Sequence, residues 1–539
     1  MQVPRSVAGD LDFGAAVTAE ARARNRYLPP AVADRALLET QATELEDRLR
    51  SRTRRGFEPQ LHDSVLARKA GGGSRPLPFM ALEDRLMFRA LVGSLEPRLA
   101  NLSFNDDYEE FVRAPLAVSN CKYVLKTDIA AFYQFIDHER LVDEVVAQTG
   151  DDLAITATIE LLQGGTGRRF GLPQMQDASD VLAEVYVDPI RRDLLRAGYS
   201  AVRFADDFRV ACSTYSETLA ALELVERSAY TLGLVLNESK TTNPQRSTYE
   251  ASIGDVDRAE DELASLMGPE GVTTDDFFAA ALGPYAANEP ADVADSDLFT
   301  DDGDVPEPAV DTAGDEPTAD QIAVANKVLD LWDSDDATEH GWSNAVWSAL
   351  IRRALQTLES AGETDALDSA VSLLVRQPHL TPQICGYVVS AGREDPERVR
   401  NMLDGLCRQD IVSVWQALWI AYAAGEVRGG TRTTGHIQWL RSQLSSAHPS
   451  VVAQSALSLA RRRLLDVDLG RQAYDNVPMV HRPSVALALA AASYRVGEDF
   501  VPNDQLERWL AEWVADKPFA KRLPARRRRK TQKPGGTTS

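Results

Sequence analysis

An α+β domain followed by an all-α array is the architecture this sequence predicts, and three observations predict it. Over the first 249 or so residues, short β-like apolar runs interleave with amphipathic helical stretches. From about residue 318 to 518 the chain is a nearly unbroken series of short amphipathic helices. Between them lies a stretch dense in acids and prolines. The strands and helices of the first region do not repeat as strict βαβ units, so α+β fits better than a doubly wound sheet.

In the first region, "VADRALLETQATELEDRLRSR" spaces Leu37, Leu38, Leu45 and Leu49 at helical intervals and reads as one helix. A glycine-rich break, "KAGGGSRPLP", precedes "ALEDRLMFRALVGSLEPRLA", a second amphipathic helix ending near Pro97. "KYVLKTDIAAFY" begins as a strand at 123–125, and "HERLVDEVVAQT" is helix-like. "GGTGRRFGLPQ" is a turn, and a long helix runs through "SDVLAEVYVDPIRRDLLRAG". "VRFADDFRVA" and "YTLGLVLNESKT" close the region. The boundaries expected are 1–115, 116–250, an acidic linker or insertion at 251–320, a helical array at 321–518 and a basic tail at 519–539. Within the array, segments such as "GWSNAVWSALIRRALQTLESAG" and "SVVAQSALSLARRRLLD" alternate with brief Gly, Pro or Asp breaks. Paired helices at that spacing suggest a HEAT-like α-solenoid, with an irregular bundle as the alternative.

At 539 residues the chain has room for two to four domains. With 44% hydrophobic and 26% charged residues it is globular. No apolar run approaches the roughly 20 residues of a membrane span, and the N-terminus lacks the layout of a signal peptide. Cys121, Cys212, Cys385 and Cys407 have neither metal spacing nor the density of a disulfide scaffold. A cytoplasmic protein with no membrane partner is therefore expected. The net charge of −23 argues at first against a polyanionic partner, but residues 259–326 contain no Lys or Arg at all. By contrast "RLRSRTRRGF" (48–57) and "ARRRRKTQK" (525–533) are strongly basic, and local charge decides where phosphate docks.

"VRFADDFRVA" alternates apolar and polar residues on both sides of Asp206 and Asp207, as a hairpin with two carboxylates at its tip would. Adjacent like charges repel unless a cation sits with them. A third carboxylate, Asp128, ends the apolar strand of "KYVLKTD". Oxygen ligands of this kind suit Mg²⁺, and two such ions about 3.5–4 Å apart can clamp the attacking and leaving oxygens of a phosphoryl transfer. Taken alone, Asp128 reads better as a cap of the helix-like segment that follows.

In order along the chain, these segments resemble the palm of reverse transcriptases. "KTDIAAFYQFIDH" looks like the first catalytic motif, "GLPQMQDAS" the second, "FADD" the third and "LGLVLNESKT" the fourth. "RPLPFMALEDRLMFRALVGSLEP" fits the fingers segment before them. The resemblance spans roughly residues 57–249, under half the chain, and implies a right-hand fingers–palm fold. It also implies roles. Asp128 and Asp206 coordinate two Mg²⁺ ions (Mn²⁺ can substitute), with Asp207 a third carboxylate and the Ile129 carbonyl a candidate ligand. Tyr133 stacks under the deoxyribose, with Phe132 beside it able to do either that or fill the core. Gln174 contacts the incoming nucleotide, Lys240 stands near the leaving pyrophosphate as a general acid, and Arg75 with Lys69 holds the triphosphate. Lys69 reads equally as a surface charge. Two departures matter: Met175 replaces the family's usual glycine after Leu-Pro-Gln, and Phe204 replaces the usual Tyr of the third motif.

A palm followed by a helical array is similar to abortive-infection and other defence-associated reverse transcriptases of prokaryotes. This implies dNTP substrates, an RNA template or a DNA product, and an antiviral role. Some such relatives make DNA without a conventional template, primed from a protein hydroxyl, which keeps Tyr387, Tyr422, Tyr474 and Tyr494 open as attachment points. A homo-oligomer is compatible with the reading. The rivals are a catalytically decayed palm that binds nucleic acid and a partner, and a templated enzyme of retron or intron type.

Overall fold

The computed structural model describes residues 1–99, 108–254, 259, 317–333, 342–408, 413–429 and 431–516. The expected acidic linker and basic tail fall almost entirely outside the described residues.

Four helices open the chain: α1 (Arg5–Asp10), α2 (Phe13–Arg22), α3 (Val32–Thr40) and α4 (Ala42–Arg55). The single helix expected over α3 and α4 is broken at Gln41, whose φ of −131° and ψ of 27° leave the helical region. The two halves bury against different partners. α4 sets Leu45 and Leu49 toward α1 and α2, whereas α3 packs on the last two described helices of the chain. Strands β1 (Asp63–Arg68) and β2 (Ser74–Phe79) form an antiparallel hairpin where the sequence suggested a break. Pro76 and Pro78 are tolerated because, two residues apart on a strand with one neighbour, both lack their donor on the same edge. α5 (Leu82–Leu95) follows and stops short of Pro97.

Next come α6 (Tyr108–Arg113), β3 (Tyr123–Asp128), α7 (Phe132–Phe135), α8 (His138–Thr149), α9 (Asp152–Thr166), α10 (Asp177–Arg196), β4 (Ser200–Phe204), β5 (Asp207–Cys212), α11 (Tyr215–Thr231) and α12 (Arg246–Ile253). α9 runs straight through Gly164 and Gly165, part of the expected turn. At Gly165 a Cβ would lie 2.2 Å from the His62 ring, so the glycine lets the segment before β1 lie against the helix. The three-stranded sheet has the order β3-β5-β4, antiparallel throughout. Its back face carries Leu125, Phe208 and Val210 into the main core toward α10 and α11. Val124 and Ala211 on the front face join Cys121 and Tyr249 in a small separate cluster under α6 and α12. All four cysteines are free.

The remaining helices are α13 (Ala319–Asp333), α14 (Asn344–Ala361), α15 (Leu367–Arg376), α16 (Thr381–Glu394), α17 (Pro396–Leu406), α18 (Val414–Glu426), α19 (Gly435–Gln443), α20 (Pro449–Arg461), α21 (Val467–Asn476), α22 (Arg482–Val496) and α23 (Gln505–Asp516). α14, α16, α18, α20 and α22 pack each on the next, while α15, α17 and α19 stack as a second layer. Close approach is built in: a Cβ at Gly425 of α18 would meet Ser458 Oγ of α20 at 2.5 Å, and that hydroxyl donates to the Ala421 carbonyl at 2.7 Å.

The array is fastened to the first region at several points. The indoles of Trp415 and Trp419 both donate to the Tyr27 carbonyl, at 2.6 and 3.1 Å. His481 Nε2 lies 2.7 Å from Asp63 Oδ2 on β1, with its ring edge-on to Phe79 on β2. Arg48 bridges Glu83 at 2.9 Å and Asp504 at 3.0 Å. The array therefore holds the β1–β2 hairpin from outside. No helix among the described residues is long and apolar enough to cross a membrane.

Candidate active site

Asp128 ends β3, and Asp207 begins β5 directly opposite it in register. Asp206 occupies the turn between β4 and β5, next to Ala205, whose φ of 48° tightens the reversal. The Ile129 N–H donates to the Asp206 carbonyl at 3.1 Å, tying the turn to the end of β3.

The three carboxylates are held differently. Asp128, buried at 4% exposure, faces Lys240 Nζ at 3.1 Å through Oδ1 and accepts from Asn237 Nδ2 at 3.2 Å through Oδ2. The Asn237 N–H also donates to the Asp128 carbonyl at 2.7 Å. Asp207 is instead engaged by Arg209 Nη1 at 3.0 Å, and that guanidinium lies 5.0 Å from the Phe111 ring. Asp206 has no ion pair among the described residues. Burial, and next the charge of Asp128, push its carboxyl up to about 7. Burial also raises Asp128, against the pull of Lys240.

Asp128 and Asp206 supply carboxylate oxygens at one sheet end, with only Asp128 ion-paired among the described residues, a donor set that fits Mg²⁺. Asp207, the expected third carboxylate, stands opposite Asp128 in register and, among the described residues, accepts from Arg209 Nη1 through Oδ1 alone. Among the described residues no three His, Cys, Asp or Glu side chains form a closed metal cage.

The second motif is stitched to the first through main-chain bonds: Leu172 N–H donates to the Tyr133 carbonyl and Gly171 N–H to the Ile136 carbonyl, both at 2.8 Å. Tyr133 is half-buried and donates its hydroxyl to Asp180 Oδ1 at 2.7 Å. Burial pushes Asp180 up to about 6. The neighbouring Phe132 is buried at 2% exposure within the core. Gln174 is half-buried beside Met175. Met175 itself adopts φ 61°, the left-handed conformation for which glycine carries no steric penalty.

Opposite these motifs stands the β1–β2 turn. Arg75 Nη1 lies 3.7 Å from Met175 Sδ. Lys69 loses some proton affinity, first through burial and then through Arg75 and Lys240, while Asp206 and Asp128 pull the other way. Lys240 thus pairs with Asp128, Lys69 lies within electrostatic reach of Asp206 and Asp128, and Arg75 stands beside Lys69. Phe204 packs edge-on against Tyr108 at 5.3 Å and near Phe111 at 5.7 Å, an apolar niche that suits Phe at this position.

Asn237 and Arg209 received no role in the sequence reading. Asn237 sits three residues before Lys240 in the fourth motif, and Arg209 two residues after Asp207. Both positions were visible, but their side-chain directions were not. Of the tyrosines considered as attachment points, Tyr387, Tyr422 and Tyr474 are buried, and Tyr474 donates its hydroxyl to Glu507; Tyr494 is half-buried.

Residues 67–250 match the family described as reverse transcriptase (RNA-dependent DNA polymerase). No curated protein matches the chain. The matched segment contains both strands that carry the carboxylates, the Met175 loop and Lys240. The protein thus carries a reverse transcriptase domain over roughly a third of its length. It is a nucleotidyltransferase of the RNA-directed DNA polymerase class. Domains of this family take dNTPs and a nucleic-acid template and generally work with divalent cations.

Proposed function

We propose that Asp128 and Asp206 form the catalytic centre of a DNA polymerase that joins a 3′ hydroxyl to the α-phosphorus of a dNTP and releases pyrophosphate. The observation that carries this reading is the meeting of these two acids at one sheet end, with Lys240 paired to Asp128 and Lys69 within electrostatic reach of both. Bound Mg²⁺ would lower the pKa of the attacking hydroxyl and offset charge on the phosphates. Asp128 and Asp206 hold the cations, and the Ile129 carbonyl lies close enough in sequence to add an oxygen. Asp207 is the third carboxylate of the centre, its Oδ1 oriented by Arg209. Lys240 exchanges its Asp128 partner for the departing pyrophosphate and gives it a proton. Lys69 and Arg75 grip the triphosphate, Gln174 lies beside the incoming base, and the Tyr133 ring supports the sugar and excludes a 2′ hydroxyl. Phe132 supports Tyr133 from the core, where their rings meet edge to face at 5.3 Å.

Incubating the purified protein with Mg²⁺ and labelled dNTPs, with and without RNA, tests the reading. Asp206→Asn abolishes the product. Absence of product with wild type at every primer and template tried would refute it.

We place the enzyme in bacterial antiviral defence, with the layered helices as a HEAT-like domain standing where other reverse transcriptases carry a basic thumb. Support comes from the union of the two parts and from the fastening of the array to the β1–β2 hairpin. In this setting synthesis is RNA-templated, or free of a template and started from a protein side chain. Tyr387, Tyr422 and Tyr474 are poor starting points because their side chains are buried. Phage plating on cells expressing wild type or the Asp206→Asn variant decides the biological role: equal plating would remove it. One observation favours the decayed-scaffold rival, namely a bulky Met175 where template and nucleotide need room. Magnesium- and dNTP-dependent thermal stabilisation separates the two, since a decayed site shows none.

A further inference from the structure

Beyond the carboxylate centre, a second concentration of charge lies where three distant parts of the chain meet. Tyr27 precedes α3. The Arg26 guanidinium lies 5.2 Å from its ring centroid, with Nη2 at 3.5 Å from its hydroxyl. Arg75 of β2 lies 4.8 Å from the same centroid. Arg352 of α14 approaches from the helical array: its charge acts on Tyr27, Arg26 and His379. The Tyr27 carbonyl is meanwhile fixed by Trp415 and Trp419 of α18. The Tyr27 backbone is therefore fixed, Arg26 and Arg75 lie against its ring, and Arg352 lies within electrostatic reach.

This arrangement is unfavourable as packing. Burial costs Arg352 part of its proton affinity, and the groups acting on its charge are Tyr27 and another arginine, with no carboxylate among them. Its Nε is buried without a hydrogen-bond partner among the described residues. Arg352 is half-buried, but a buried donor without an acceptor is costly, and the like charge of Arg26 adds to the cost. Arg203 and Arg85, by contrast, face carboxylates, Arg203 on Glu184 and Arg85 on Glu20 and Asp34. Arg75 connects this cluster to the active site, since its other contact is Met175.

We infer that Arg26, Arg75 and Arg352 form a phosphate-binding subsite adjoining the polymerase centre, to which the helical array contributes Arg352. The ligand is a phosphate ester, arriving either on the tail of a nucleoside triphosphate or on the backbone of a single-stranded nucleic acid. Guanidiniums match the planar donor geometry that phosphate oxygens require. The inference gives the array a chemical role at the nucleotide site, and it rests on the polymerase reading only for the identity of the phosphate carrier.

The test uses the full chain in EDTA, so that no turnover occurs. Dissociation constants for a dNTP and for a single-stranded oligonucleotide are measured over a range of salt for wild type, Arg352→Met and Arg26→Met. Loss of one charge-assisted phosphate contact weakens binding about tenfold. If the phosphate belongs to a strand, oligonucleotide binding weakens and its log–log salt slope falls by about 0.7. If it belongs to the nucleotide, dNTP binding weakens and oligonucleotide binding does not. Thermal stability of the ligand-free Arg352→Met protein stays level or rises, because an unpaired charge has been removed. Unchanged binding of both probes overturns the inference, as does a less stable Arg352→Met protein that binds both normally. Failure of the polymerase reading would look different: no nucleotide incorporation with wild type, whatever the binding constants.

Discussion

Replacing Asp206 by Asn probes the electrostatics of the centre more sharply than an activity assay does alone. In the folded chain the Asp206 carboxyl titrates near 7, against an ordinary 3.8, chiefly through burial and then through Asp128. A folded pKa above the unfolded one means the native state holds a proton that the unfolded state releases. Stability is then lost as pH rises from about 4 through about 7, and the loss is complete above that window. Raising the pKa from 3.8 to about 7 corresponds to a ceiling of about 4 kcal/mol. Because Asp206 is only half-buried, solvent screening brings the expected effect to about 2 kcal/mol. Asn removes this penalty while keeping the shape of the side chain. Metal-free Asp206→Asn should therefore unfold later than wild type at pH 8, by roughly 4–8 °C if the transition reports a domain of this size. At pH below 4 the two should coincide. Adding Mg²⁺ should raise the wild-type midpoint and leave the variant unmoved. A variant that is less stable at pH 8, or shifted equally at both pH values, would refute the crowding of acids on which the proposed centre rests.

Other predictions follow from neighbouring contacts. Tyr133→Ala should raise incorporation of ribonucleotides relative to deoxyribonucleotides at least tenfold in competition assays, whereas Tyr133→Phe should keep sugar discrimination and lose only the Asp180 bond. Met175→Gly should relieve about 1 kcal/mol of left-handed backbone strain while losing side-chain packing of similar size, leaving the melting temperature nearly unchanged; primer extension on an RNA template should increase through the space released. Trp415→Ala should cost about 3–5 kcal/mol, since the indole is fully buried and bonded to Tyr27, and should make the array unfold separately in calorimetry. Trp419→Phe should cost only about 1 kcal/mol, because its 3.1 Å bond shares an acceptor that Trp415 still occupies.

Much of this was legible from pattern alone. Period-two alternation around Asp206 gave the β4–β5 hairpin, and apolar spacing gave α5, α8 and α10. The break at Gln41 was not legible, because Leu37, Leu38, Leu45 and Leu49 satisfy one helical stripe whether or not the axis bends. What bends it is tertiary packing, with α3 claimed by the far end of the chain. The β1–β2 hairpin was obscured by its prolines, which local propensity counts against a strand although an edge accepts them. For the site, motif order located the acids, but not the commitment of Asp207 to Arg209 or of Asn237 to Asp128. Those depend on which face of the sheet each side chain takes and on which loop returns beside β3. The Arg26–Arg75–Arg352 gathering has no sequence signature, since its members lie far apart along the chain.

Backbone strain offers an independent line on where function lies. Among the described residues, four non-glycine residues have positive φ: Ala131, Met175, Ala205 and Arg463. Three of the four lie one in each of the first three motifs. Each costs about 1–2 kcal/mol relative to a relaxed residue, and glycine at any of them would remove most of that. A fold with no use for these conformations has cheap ways to escape them. Ala205 is strained where the chain must reverse within two residues to set Asp206 at the tip. Ala131 is strained where it must turn from the end of β3 into α7 to set Tyr133 over Asp180. At Met175 the strain brings a thioether to Arg75, and through Arg75 to the Tyr27 cluster. The three positions are therefore joints of the β3 end, the β4–β5 tip and the Gln174 loop. Relaxing Ala205 alone, by Ala205→Gly, should raise stability by up to about 1 kcal/mol yet lower the rate of synthesis, because a freer tip holds Asp206 less firmly against Asp128. A glycine variant with undiminished activity would mean that the strain merely follows from the hairpin's shape and does nothing for the aim of the carboxylate.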